Sequence, residues 1–196
     1  MLESEIERIF ESVLCGLKIE SNRRLRIAQE VIKKGEFSFV LDDERELGTA
    51  STIANCLTNA GYFSRLDWYY YGKDNQLRPD ITVWLPEVQR LIFFELKRAG
   101  QGWSYNGLQQ DMKKLRDLGE NCEKNKANGL IVVQFPKKED SRDRLQGNLN
   151  ELVGSYSDYD IWGPKLFQKP NSDFPKQGFG YIGLVYNKAL HQLSDA

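Results

Sequence analysis

The sequence predicts an α/β fold in which a mixed central sheet is flanked by helices. Three observations predict this class. Runs rich in β-branched, aromatic and aliphatic residues occur at 63–71, 80–84 and 91–97, and a continuous apolar run follows at 130–135. Stretches with apolar residues at helical spacing lie before and between these runs. The resulting order is helix, three strands, helix and strand, which gives a sheet with helices packed against it.

Two amphipathic helices are predicted near the N-terminus, over residues 2–17 and 22–34. Gly16 weakens the end of the first helix, and Gly35 ends the second helix in the position where glycine is preferred. We expect this N-terminal helical pair, residues 1–35, to be an extension of the core that could form a homodimer or bind a partner protein.

The core is predicted to span residues 44–136. Its first helix carries one buried stripe, which Glu46 shares and which consists of Leu47, Ala50, Ile53, Ala54 and Leu57. The three strands that follow form an antiparallel meander, because turn residues separate the first two and a break at 85–87 that contains proline separates the second and third. A helix is predicted over 108–118, and strand 130–135 is expected to pair parallel to the third strand through a right-handed crossover.

The remaining residues, 137–196, are predicted to be an irregular C-terminal extension of the same domain. They contain a helix over 142–153, a loop over 155–180 and a last strand over 179–186 at a sheet edge. We expect the whole chain to form a single domain.

Composition excludes several classes of function. The only histidine is His191, which argues against sites built on several histidines, and the three cysteines form no CxxC pair. No apolar run reaches the length of a membrane span, and the acidic, amphipathic N-terminus is unlike a secretory signal, so we expect no membrane association and a cytoplasmic location. The net charge of −1 gives no overall attraction to nucleic acid, although basic runs such as 113–116 occur.

Three charged side chains stand at the ends of the second and third predicted strands. Asp80 opens one strand, and Glu95 and Lys97 close the other, two residues apart and therefore on one face. If these strands pair antiparallel, Asp80 comes near Glu95 and Lys97. Two adjacent carboxylates favour a hard divalent cation such as Mg²⁺, with Mn²⁺ as a substitute. Lys97 would orient or deprotonate an attacking water, or stabilise charge in the transition state.

Pro79-Asp80, followed after a spacer by Glu95-Leu96-Lys97, resembles the motif of the PD-(D/E)xK nuclease superfamily. The resemblance spans roughly half of the chain and implies the restriction-endonuclease-like αβββαβ core. It also implies a metal-dependent nuclease that hydrolyses DNA phosphodiester bonds. In that family pattern, Asp80, Glu95 and the main-chain carbonyl of Leu96 would hold Mg²⁺.

The resemblance implies two further site residues. The helix before the first core strand often carries a glutamate that completes the metal site, and Glu46 is the best match, with Glu44 as the alternative. The competing interpretation of Glu46 is simple capping of a helix N-terminus. The helix after the third strand often carries a glutamine near the active site, which matches Gln110, with Gln109 as the alternative.

Other functions stay open at this point. The chain could be a catalytically silent protein of the same fold that binds nucleic acid or protein, or an assembly module whose N-terminal helices build an interface. DNA is the expected substrate because most of the resembled family cuts DNA, but the sequence does not separate DNA from RNA.

Overall fold

Four helices and six strands make up the part of the chain that the computed structural model describes. The described residues are 5–31, 46–66, 79–85, 90–99, 105–121, 127–139, 141–172 and 178–188. In chain order the elements are α1 (Glu5–Val31), α2 (Glu46–Asn59), β1 (Phe63–Leu66), β2 (Ile81–Leu85), β3 (Arg90–Ala99), α3 (Tyr105–Asn121), β4 (Asn128–Gln134), α4 (Ser141–Ser155), β5 (Tyr159–Gln168) and β6 (Gly180–Asn187).

The six strands form one mixed sheet in the order β1-β2-β3-β4-β6-β5. Strands β1, β2 and β3 are an antiparallel meander, and β4 pairs parallel to β3 after the crossover through α3. The predicted α/β class, with a mixed sheet flanked by helices, is therefore confirmed, as are the meander and the parallel pair.

Each face of the sheet is covered by two helices. Alternate residues of the central strands pack with α1 and α2 in one buried cluster, which includes Ile81, Val83, Ile92, Phe94, Leu96, Ile131 and Val133. The residues between them, among them Leu130, Val132 and Val185, pack with α3 and α4 in a second cluster. Glu95 and Lys97 belong to the second face by strand alternation, so they lie on the side of the sheet that α3 covers.

The predicted N-terminal helical pair is wrong, because its described residues form one helix, α1, of 27 residues. Gly16 does not end this helix; it lies where α2 approaches closely, and a Cβ on Gly16 would be 2.7 Å from Cys56 Sγ. Glu20 pairs with both Arg23 and Arg24 at 2.7 Å across the predicted break, contacts that favour a continuous helix. The glycine therefore marks close helix packing rather than a helix end.

The predicted irregular C-terminal extension is also wrong. Helix α4 is present as predicted, but the predicted loop contains β5, and β6 lies inside the sheet between β4 and β5 rather than at an edge. Strand β5 has a bulge between Trp162 and Lys165, where Gly163 adopts a φ of 84°. The Gly163-Pro164 pair imitates a turn in the sequence, whereas an edge strand tolerates both residues at a bulge.

Several predictions fall on residues outside the described ranges. They concern Glu44, Gly35, His191 and the greater part of the strand predicted over 63–71. Within the described ranges, no helix combines the length and apolar character needed to cross a bilayer.

Candidate active site

The pairing of β2 with β3 brings Asp80 and Glu95 together. Ile81 pairs with Phe94 in the antiparallel register, so the next position along each strand places Asp80 opposite Glu95. The two carboxyl groups are near enough for each to shift the pKa of the other. Glu95 is buried, with 5% of its side chain exposed, and Lys97 follows two residues later on the same face with 31% exposed. The structure thus brings together the three residues predicted from the motif.

Among the described residues, the strand pairing of β2 does not extend along the second half of β3. The register with β2 starts at Phe94, so the N–H groups of Leu96 and Arg98 point past the end of that strand. Carboxylates take the place of strand partners there. Leu96 N donates to Asp80 Oδ2 at 2.7 Å, and Arg98 N donates to Glu46 Oε2 at 3.1 Å. The main chain of β3 therefore fixes both carboxylates at the edge of the site.

Glu46 reaches this edge, but not from a buried stripe. It is the first residue of α2 and is exposed, and Leu47 is 65% exposed. Burial in this helix begins only at Thr49 and continues through Ala50, as the stripe requires. The predicted burial of Glu46 and Leu47 is wrong because the first turn of α2 lies beyond the packed surface. Its charge still acts on the site, since the Glu46 carboxylate contributes to raising the pKa of Asp80.

Two residues of α3 complete the charged cluster. Lys114 Nζ lies 2.7 Å from Glu95 Oε1, and Lys97 Nζ lies 3.2 Å from Asp111 Oδ2. Neither contact has the angles of a hydrogen bond, so the two buried carboxylate oxygens have a charge partner but no hydrogen-bond donor. Such oxygens are poorly compensated for their burial.

Gln110, which the resemblance assigns to the site, lies on α3, the helix that packs against β3. It is exposed and lines an open cavity of about 740 Å³ together with Gln109 and Lys113. Gln110 precedes Lys114 by about one helical turn and therefore lies at a similar angle around the helix axis. The role of Gln110 at the site stays a prediction.

Burial and charge crowding hold a proton on the carboxyl pair. Burial raises the pKa of Glu95 to about 8, the charge of Asp80 adds to the increase, and the ion pair with Lys114 offsets only part of it. The pKa of Asp80 is also raised, first by burial, although the N–H of Leu96 and the charge of Lys114 oppose the shift. A carboxyl group that stays protonated near neutral pH beside a second carboxylate is an arrangement common in functional sites.

Lys97 remains an ammonium group. Burial lowers the pKa of Lys97, but the charges of Asp111, Glu46 and Asp80 outweigh it, and the net shift is upward. Burial also raises the pKa of Asp111, against the lowering effect of Lys97. Lys97 therefore offers a fixed positive charge and hydrogen-bond donors rather than a free amine base.

The cluster contains more carboxylates than ammonium groups. Four carboxylates (Glu46, Asp80, Glu95 and Asp111) face two ammonium groups (Lys97 and Lys114), which leaves a formal excess of two negative charges when all are ionised. Burial and the neighbouring charge of Asp80 raise the pKa of Glu95, so ionisation of this carboxyl group is unfavourable here. An oxygen donor set with this charge suits one hard divalent ion.

The donor set is partial rather than complete. Among the residues that the structure describes, no three His, Cys, Asp or Glu side chains are arranged as a ready-made metal site. Two carboxylates and a main-chain carbonyl are the kind of partial set that Mg²⁺ fills with waters and substrate phosphate.

Sequence reasoning missed Asp111 and Lys114, although a signal for them exists. The two residues are one helical turn apart and flank the buried stripe of α3, which contains Leu108, Met112 and Leu115. Charged residues that flank a buried stripe at this spacing lie near the surface on which the helix packs, here β3. Their signs complement those of Glu95 and Lys97.

Comparison of the chain with protein-family models, with curated proteins and with solved structures gives no match. The functional assignment therefore rests on the arrangement of the side chains.

Proposed function

We propose that the chain is a metal-dependent nuclease that hydrolyses DNA phosphodiester bonds. One observation supports this proposal above the others: the carboxyl group of the buried Glu95 lies beside that of the half-buried Asp80, and the Lys97 ammonium is on the same face of the sheet. A surface ion pair would not require burial of Glu95, and placing a second carboxylate beside a buried one costs stability that a structural role does not explain. The restriction-endonuclease-like core is part of the same proposal.

The residues that would hold Mg²⁺, or Mn²⁺ in its place, are Asp80, Glu95 and the carbonyl of Leu96. Glu46 would act on the same ion through a water, because its carboxylate is held by Arg98 N at the neighbouring position of β3. When bound, such an ion lowers the pKa of a water and neutralises phosphate oxygens. Glu95 must lose its proton for this, which couples binding to pH.

Lys97 would orient the attacking water and stabilise charge that develops on the phosphate. The raised pKa of Lys97 keeps the group charged, so electrostatic stabilisation is its better-supported role. Asp111 restrains the ammonium at 3.2 Å. A restrained charge costs less to reorganise during the reaction than a free one.

The outer face of α3 would contact the nucleic-acid backbone. Lys113 and Arg116 are exposed there, beside the amide side chains of Asn106 and Gln109, and the Arg116 guanidinium lies 5.8 Å from the centre of the Tyr156 ring. Cationic and amide groups of this kind bind phosphates and position a strand without reading its sequence. The same helix therefore joins a binding surface to the site on its inner face.

The test is cleavage of labelled single- and double-stranded DNA, with RNA as a third substrate, in Mg²⁺, in Mn²⁺ and in EDTA. The variants are Asp80→Asn and Lys97→Met, which keep side-chain size while changing charge. Asp143→Asn and Lys169→Met, both at exposed positions, are the matched controls. We expect metal-dependent cleavage that falls by about 100-fold or more in the two site variants and is unchanged in the controls.

Two results would contradict the proposal. Cleavage that persists in both site variants would assign the activity to a contaminant. DNA binding without cleavage of any substrate in either metal would favour the silent binding module. Cleavage of RNA in place of DNA would support the proposed site but assign RNA as the substrate.

A further inference from the structure

Two ion pairs join α3 to β3 in a crossed order. Along β3 the acid comes first, Glu95 and then Lys97; along α3 the acid also comes first, Asp111 and then Lys114. Glu95 pairs with Lys114 and Lys97 pairs with Asp111. The helix therefore runs opposite to the strand at this point, and each site residue meets a partner of opposite charge. No apolar packing argument requires this pattern.

Lys114 lies beside a Glu95 oxygen that a bound divalent cation would also contact. Its Nζ is 2.7 Å from Glu95 Oε1, and Mg²⁺ binds a carboxylate oxygen at roughly 2.0–2.1 Å. Two cations held by the same oxygen would be only a few ångströms apart and would repel each other strongly in a partly buried site. The Lys114 side chain is 31% exposed, so it has a path to solvent.

We propose that Lys114 is an internal counter-ion of Glu95 that a bound divalent cation displaces, so that this lysine sets the metal affinity of the site. The inference rests on the proposed function, because it assigns Glu95 to the metal. Lys114 is a positioning residue in this scheme: it compensates Glu95 in the metal-free protein and moves out when the ion enters.

Asp111 has the opposite effect. It withdraws the Lys97 ammonium from the carboxyl pair by holding it at 3.2 Å, and its own negative charge favours a cation nearby. Removing the charge of Asp111 should therefore weaken metal binding, whereas removing the charge of Lys114 should strengthen it. Opposite effects from residues one helical turn apart distinguish this arrangement from a general loss of structure.

The experiment is a titration of the full chain with Mn²⁺ alone, without nucleic acid, followed by calorimetry and by the electron paramagnetic resonance signal of free Mn²⁺. The variants are Lys114→Met and Asp111→Asn. Lys113→Met is the matched control, because it removes the same charge from the next residue of α3, which is exposed and lines the outer cavity. Lys114→Gln repeats the test if methionine destabilises the fold, and thermal unfolding checks each variant.

We expect Lys114→Met to bind Mn²⁺ on the order of 10-fold more tightly than the unmodified chain, Asp111→Asn to bind it more weakly, and Lys113→Met to be unchanged. If the Lys114 variants bind Mn²⁺ as tightly as the unmodified chain does, and Asp80→Asn abolishes binding, the metal site is supported but the role of Lys114 as a counter-ion is refuted. Weaker binding by Lys114→Met would also overturn it. Absence of Mn²⁺ binding in every variant would overturn the proposed function and this inference with it.

Discussion

Replacement of Glu95 by glutamine should change the pH dependence of stability. In the folded chain the pKa of Glu95 is raised from an ordinary 4.5 to about 8, chiefly by burial and by the charge of Asp80. The folded state therefore binds this proton more tightly than the unfolded chain does. The stabilisation is complete below pH 4.5 and declines as the pH rises towards 8, because the unfolded chain loses the proton first.

The expected magnitude follows from the two pKa values. Each tenfold difference in proton affinity corresponds to about 1.4 kcal/mol, so the gap between 4.5 and about 8 allows Glu95 to contribute up to about 5 kcal/mol. Other groups face Glu95 as well. The pKa of Asp80 is also raised and adds a pH dependence in the same direction, whereas the opposing effect of Lys114 is already contained in the pKa of about 8 for Glu95. A loss of this size is a large part of the stability of a typical domain.

The assay is urea unfolding in EDTA at pH 5, 6, 7, 8 and 9. One slope of the free energy of unfolding against urea concentration is used for the whole series. We expect the unmodified chain to lose stability from pH 5 to 8 and Glu95→Gln to lose much less. Glu30→Gln, at an exposed position of α1, is the control and should follow the unmodified chain. Parallel profiles for Glu95→Gln and the unmodified chain would refute the assignment of a bound proton to Glu95.

Three further predictions concern other regions. Gly16→Val should lower the free energy of unfolding by about 1–3 kcal/mol, because its side chain would meet Cys56 Sγ; unchanged urea denaturation would contradict the close packing of α1 on α2. Gly147→Ala, in α4 with open space around it, should instead raise that free energy by about 0.5–1 kcal/mol, and a decrease would argue against this exposed helical setting. Alanine at Lys113 or Arg116 should weaken DNA binding, lowering the slope of log affinity against log salt by about one per charge. If the slope of log affinity against log salt is the same for the variants and the unmodified chain, DNA does not bind at these residues of α3.

The geometry of the carboxyl pair was predictable because strand periodicity leaves little freedom. Side chains alternate strictly along β2 and β3, so Glu95 and Lys97 must share one side, and antiparallel pairing brings the start of β2, next to Asp80, to the end of β3. The parallel pairing of β4 was predictable for a similar reason, since its apolar run requires both faces to be covered. These features depend on local pattern and on the order of elements alone.

The contribution of α3 was harder to predict because a helix can rotate about its axis. Gln109, Gln110 and Asp111 occupy successive polar positions, and only the packing of the helix on β3 and β4 decides which of them faces the strand. The resemblance favoured Gln110, and the buried stripe directs Asp111 and Lys114 inward. Side-chain charge complementarity with β3 was the missing criterion.

Glycine caused the two errors in the assignment of elements. At Gly16 it serves a close contact between helices, and at Gly163 it serves a bulge, yet in a sequence both resemble breaks. Which role a glycine has depends on what lies against it, and in α1 the partner, Cys56, is forty residues away in sequence.

The position of β6 has a consequence for the order in which this sheet can be completed during synthesis. Strand β6 pairs with β4 on one side and β5 on the other, although it follows all the other described strands in the sequence. Until Gly180–Asn187 has left the ribosome, β4 presents an open edge of main-chain donors and acceptors, and β5 has no neighbour in the sheet. The nascent chain must therefore keep a hydrophobic strand edge unpaired for some fifty residues of elongation, a period when such edges favour association between chains. Helix α1 precedes the described strands in the sequence and contacts β5, which is synthesised well after it, through the Phe10–Trp162 ring contact and the Ser21–Gln168 hydrogen bond. These contacts between α1 and the β5–β6 hairpin therefore form only after most of the sheet has been synthesised.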